Sequence, residues 1–141
     1  MRKINKIIVH CSDTPEGRHV TTEQITKWHK QRGFTTIGYH YVIYLDGSIH
    51  SGRPIEEIGA HCKGHNRYSI GICYIGGRMK SSKKAKDTRT VEQKGALIRL
   101  IKSLMAEYKL KATDVYGHCQ FDNAKACPSF DIEDLRKHLA D

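Results

Sequence analysis

The sequence predicts a single α/β (α+β) domain spanning residues 1–141, with one mixed central β-sheet flanked by helices. Three observations point there. Ser69–Gly76 is nearly continuous apolar sequence, the pattern of a central strand covered on both faces. Asp46-Gly47 lies between two strand-like runs and marks a hairpin. Two capping boxes, Thr21-Thr22-Glu23-Gln24 and Thr90-Val91-Glu92-Gln93, each open a run with helical apolar spacing.

In chain order, Lys6–Ser12 reads as a first strand, its β-branched residues leading into His10. The helix capped by Thr21 carries Ile25, Trp28, His29 and Arg32 at i, i+3, i+4 and i+7, and stops at Gly33, a suitable C′ residue. Trp28 is expected to anchor core. Gly38–Leu45 and Ser48–Gly52 form the hairpin, and Ser69–Gly76 the central strand. The second helix turns Leu97, Leu100, Ile101, Leu104 and Met105 inward. Asp114–His118 is a last strand, and Asp131 caps a terminal helix with Ile132, Leu135 and Leu139. There is no internal repeat and no linker.

Composition narrows the class. At 141 residues one core suffices, since a domain of about this length buries about 68–70% of its unfolded surface. No apolar run approaches the roughly 18 residues of a membrane span, so no membrane insertion is expected. The N-terminal residues lack the apolar stretch of a signal peptide, so synthesis in the cytoplasm is expected. Lys and Arg number 24 against 15 Asp and Glu, a formal +9 that attracts anions. Many of these charges lie in Arg78–Lys86, read as a solvated loop. Nucleic acid is not an expected partner: no recognition motif is present, and residues 78–89 hold no aromatic for stacking on bases. The five Cys, at 11, 62, 73, 119 and 127, include no C-x-x-C pair, and most are expected as reduced, buried thiols.

Among nine His, two sit at strand ends. His10 shares a strand face with Ile8, while Val9 and Cys11 take the other. His118 follows Gly117, and Cys127 comes after eight intervening residues. Pro128 biases Cys127 toward extended backbone, which puts Lys125 and Cys127 on one side. Imidazole and thiolate suit Zn²⁺, and three protein ligands leave a fourth position for water. Alone, this pattern is weak, because an isolated His is more commonly a satisfied core or surface residue.

Five ordered blocks add specificity: Ile8-Val9-His10-Cys11-Ser12, Gly38-Tyr39-His40-Tyr41, Gly59-Ala60-His61, Asn66-Arg67-Tyr68-Ser69-Ile70-Gly71-Ile72, and Lys125-Ala126-Cys127-Pro128-Ser129-Phe130-Asp131. With them the chain resembles the type-2 N-acetylmuramoyl-L-alanine amidases, a family that includes small phage lysozymes of the amidase type and is related to peptidoglycan-recognition proteins. The resemblance runs from about Lys6 to Leu139, with no added cell-wall-binding module. It implies one Zn²⁺ held by His10, His118 and Cys127, catalytic side chains Tyr39 and Lys125, and His61 at the substrate groove. It implies peptidoglycan as substrate, cut between the lactyl group of muramic acid and L-alanine. A monomeric phage or prophage endolysin is the expectation, made in the cytoplasm and acting on the wall after release. Two rivals remain: a non-catalytic peptidoglycan-binding module, which should lack a zinc ligand, and a zinc peptidase acting within the stem peptide. Cys119 is expected to face away from the metal.

Overall fold

The computed structural model describes residues 2–139. In chain order the elements are β1 (Lys6–Cys11), β2 (Thr14–Pro15), α1 (Thr22–Gln31), β3 (Tyr41–Ile43), β4 (Ile49–Ser51), β5 (Ser69–Tyr74), β6 (Gly77–Arg78), α2 (Val91–Tyr108), β7 (Val115–Gly117) and α3 (Ile132–Arg136). The main sheet runs β4-β3-β5-β1-β7. Four of its strands are parallel neighbours, and β4 returns antiparallel at the edge. The mixed sheet with flanking helices is the expected fold.

β5 is central, and all its residues are buried, so its unbroken apolar sequence needs no polar face. Ala96, Leu97, Ile101 and Leu104 of α2 cover one side, against Ile7, Val9, Ile70, Ile72 and Tyr74. α1 covers the other, where Ile25 joins Val20, Ile37, Val42 and Ile75, with Trp28 packed at the margin. Both capping boxes form: Thr21 Oγ1 accepts from Gln24 N at 3.2 Å, and Thr90 Oγ1 from Gln93 N at 3.0 Å. Gly33 follows α1 with φ +96°, the left-handed C′ conformation. The strand period turns Ile7, Val9 and Cys11 toward α2 and leaves His10 on the face shared with α1.

Several strands are shorter than predicted. The run expected over Gly38–Leu45 is strand only at Tyr41–Ile43, because residues 38–40 are bent against residues 59–61. A Cβ on Gly38 would lie 2.0 Å from the Ala60 carbonyl oxygen, so this approach requires glycine. The predicted last strand loses both ends. Asp114 closes a 3₁₀ turn, and His118 starts another. The small parallel pair β2–β6 was not anticipated; two-residue strands carry no period to detect. It arises because β1 and β5 continue as neighbours, with Thr14 N donating to Gly76 O at 3.0 Å.

Candidate active site

Three segments converge at the end of β1. His10 is the penultimate residue of that strand and is 1% exposed. His118 follows β7, the parallel neighbour of β1, so the two rings project side by side with centroids 4.6 Å apart. Cys127 is brought in by the loop after His118. Cys119 N donates to Cys127 O at 2.8 Å, and the Tyr74 hydroxyl donates to Pro128 O at 2.6 Å. Gly117 lets this segment close, since a Cβ there would meet Pro128 Cδ at 2.8 Å.

One ligand atom from each of His10, His118 and Cys127 lies within 4.8 Å of the others. A tetrahedral zinc site with Zn–N of about 2.0–2.1 Å and Zn–S of about 2.3 Å needs donors about 3.3–3.6 Å apart. Small side-chain rotations close that difference, so the residues fit the ion. The electrostatics agree. Burial holds His10 well below its ordinary pKa, and it lowers His118, so both imidazoles are neutral near pH 7. The Cys11 side chain and burial push the Cys127 thiol up, so without a cation it keeps its proton. The Cys11 main-chain N–H donates to Cys127 Sγ at 3.1 Å, a bond suited to a thiolate. Cys119 is not among the converging donors.

Tyr39 stands beside the cluster, its ring centroid 5.1 Å from that of His10. Two histidines grip the backbone around it. His29 Nδ1 accepts from Gly38 N at 2.9 Å, and His40 Nδ1 accepts from Gly71 N at 3.0 Å. Accepting at Nδ1 puts the His40 proton on Nε2, which donates to Glu57 O at 2.9 Å. Burial lowers both histidines to about 4. Burial, then the thiols of Cys73, Cys127 and Cys11, raise the Tyr39 phenol well above its ordinary value, so it is a hydrogen-bond donor.

These side chains face a cleft of about 510 Å³. Lys125 lies on its exposed rim with Asp122, and its charge contributes to lowering His118. Lys125 makes no ion pair among the described residues. His61 also lines the cleft wall, with Nδ1 2.8 Å from His10 Nε2. Asn66 Oδ1 holds that wall by accepting from the main-chain N of His61 and of Cys62, both at 2.9 Å. All six residues singled out in the sequence therefore meet in one cleft. Missed were the backbone-gripping roles of His29 and His40. The only signal for them was a histidine next to each helix end or glycine bend. Arg32, Phe34 and Lys63, which also line the cleft, carried no signal at all.

A buried imidazole, a half-buried one and a buried thiol, with both rings neutral and the group open on one side to a solvent cleft, define a candidate metallohydrolase. The family model described as N-acetylmuramoyl-L-alanine amidase matches residues 1–130. The chain belongs to the N-acetylmuramoyl-L-alanine amidase family, and it is a hydrolase of that class. It is 35% identical over 133 residues to the endolysin of Klebsiella phage KP32, covering 94% of this chain and 85% of the relative. It is 36% identical over 127 residues to the endolysin of Escherichia phage T7, covering 90% and 82%. Among solved structures it is similar to the amidase LysC from Clostridium intestinale URNW, at 31% identity and a TM-score of 0.84, covering 98% of this chain and 86% of that one.

Proposed function

We propose that the chain is a zinc-dependent endolysin-type amidase, acting as a monomeric single catalytic domain on the peptidoglycan muramyl-peptide. The observation that carries this reading is the convergence of His10, His118 and Cys127 beside Tyr39. A binding module that had lost catalysis would not need that donor set complete.

His10 and His118 offer neutral nitrogens, and Cys127 would lose its proton to solvent on binding the cation through sulfur. Zinc held there would supply Lewis acidity to the amide carbonyl and lower the pKa of water. A thiolate ligand leaves the centre a formal +1, so added positive charge near the developing oxyanion is useful. Lys125 supplies it from the cleft rim, and the protonated Tyr39 hydroxyl supplies a hydrogen bond. The rest of the cleft orients the glycan–peptide junction. Asp13, Arg32, Lys63 and Asp122 give its walls both charge signs, suited to a substrate bearing amides and carboxylates.

The wall is reached after release from the cell. Among the described residues no helix is long and apolar enough to cross a membrane. Mass spectrometry of purified sacculi digested with zinc present tests the reaction. Released peptides should begin with alanine, and the glycan strands should stay intact. New reducing ends would mean a glycosidase; cleavage within the peptide would mean a stem-peptide hydrolase.

A further inference from the structure

His61 belongs to a hydrogen-bond chain whose polarity can be read from its far end. Ser69 Oγ lies 2.7 Å from His65 O. A carbonyl oxygen only accepts, so the Ser69 hydroxyl proton is committed to it. His61 Nε2 lies 3.3 Å from the same Oγ, and therefore carries the proton it donates there. In a neutral imidazole with Nε2 protonated, Nδ1 is a bare acceptor. That acceptor sits 2.8 Å from His10 Nε2, so His10 carries its own proton on Nε2 and keeps a free lone pair on Nδ1. The order His65 carbonyl, Ser69, His61, His10 leaves one tautomer for the metal-facing ring.

The His61 ring is also held mechanically. A Cβ on Gly71 would lie 2.5 Å from His61 Cδ2, and one on Gly59 would lie 2.8 Å from the same atom. Both glycines lie in the ordered sequence blocks that contain or follow His61, and both leave room that the imidazole fills. The ring meets His10 edge-on, at 88° between planes with centroids 4.8 Å apart. That orientation aims a ring nitrogen at the His10 edge.

We propose that His61 is a positioning residue for the metal site: it selects the tautomer and ring orientation of His10, instead of contacting the sugar–peptide substrate. This rests on the zinc reading above. Partners that orient a metal-bound histidine typically carry about 10–100-fold in metal affinity.

The test is zinc affinity by chelator competition, together with the visible spectrum of the cobalt-loaded protein. Wild type is measured first; failure to bind zinc there would remove the zinc reading itself, and this inference with it. Given wild-type binding, His61→Ala should lose about 10–100-fold in affinity. It should also shift the cobalt bands and leave KM for a soluble muramyl-peptide nearly unchanged at saturating zinc. His61→Asn places an amide oxygen near the former Nδ1 and should recover part of the affinity. Ser69→Ala removes the acceptor at Nε2 and should weaken zinc several-fold with circular dichroism intact; it decides the matter if His61→Ala does not fold. Wild-type zinc affinity in His61→Ala with a raised KM would overturn the proposal and make His61 a substrate contact. Unchanged affinity in Ser69→Ala would overturn the chain of polarity.

Discussion

Cys119 donates its main-chain N–H to the Cys127 carbonyl at 2.8 Å, so the residue after the candidate ligand His118 is tied directly to the candidate ligand Cys127. This bond closes the eight-residue loop between His118 and Cys127, and the Tyr74 hydroxyl on Pro128 O ties the chain just beyond it to β5.

Metal binding should depend on that thiol and should release one proton. Both imidazoles are neutral near pH 7, whereas the Cys127 thiol is pushed up and must deprotonate to bind. Apparent zinc affinity should therefore rise about tenfold per pH unit through neutrality. Calorimetry in buffers of different ionisation heat counts the protons; two or three would mean that the histidines bind from their charged forms. Cys127→Ser should lose most of the metal and nearly all activity, and full zinc occupancy by atomic absorption would remove the thiolate from the site.

Lys125 and Tyr39 should act on turnover. Lys125→Ala should lower kcat by about 10²–10³-fold, the range for losing an oxyanion donor, with zinc content unchanged. Lys125→Arg should keep part of the rate, since the charge survives with different geometry. Tyr39→Phe removes only the hydroxyl and should lower kcat with little change in fold. Full activity in Lys125→Ala would end its catalytic assignment.

The metal-free protein should be destabilised by mild acid. His29 and His40 titrate at about 4 in the fold against an ordinary 6.5, so below about pH 6.5 the unfolded chain binds protons that the folded chain refuses. Stability is present in full above that pH and is lost as pH falls toward 4. His40 alone contributes on the order of 2–3 kcal/mol over that window, and His29 less. Urea midpoints at pH 7.5, 6 and 4.5 measure it. His40→Gln should flatten the profile; an unchanged slope would mean that the ring is not buried neutral.

The basic loop should serve adsorption, not chemistry. Lys80, Lys83, Lys84 and Lys86 are exposed and absent from the cleft lining, and Lys86 already pairs with Glu16 at 2.7 Å. Neutralising all four should weaken binding to sacculi, most visibly at low salt, because exposed charges are screened beyond about 8 Å at physiological ionic strength. Hydrolysis of a small soluble muramyl-peptide should barely change. An equal loss on the small substrate would place the loop beside the active site.

Local chemistry was legible in the sequence wherever short-range rules govern it. The Thr21 and Thr90 capping boxes, the left-handed Gly33 and the buried β5 all depend on residues a few positions apart, and each formed as predicted. The candidate ligands were legible as residue types too, since His10 and His118 read as the ends of predicted strands and Pro128 restricts Cys127. Tertiary structure decided what those residues touch. Parallel pairing of β1 with β7 is what sets His10 beside His118, and no periodicity encodes which strands become neighbours. The bend at Gly38 shortened the third strand because Ala60, far along the chain, fills the space a side chain would need. His61 could be read only as a residue near a groove; its bond to His10 bridges 51 residues and exists because two glycines leave room for its ring. Periodicity and capping are properties of neighbouring residues, whereas contact between distant segments depends on how the whole chain packs.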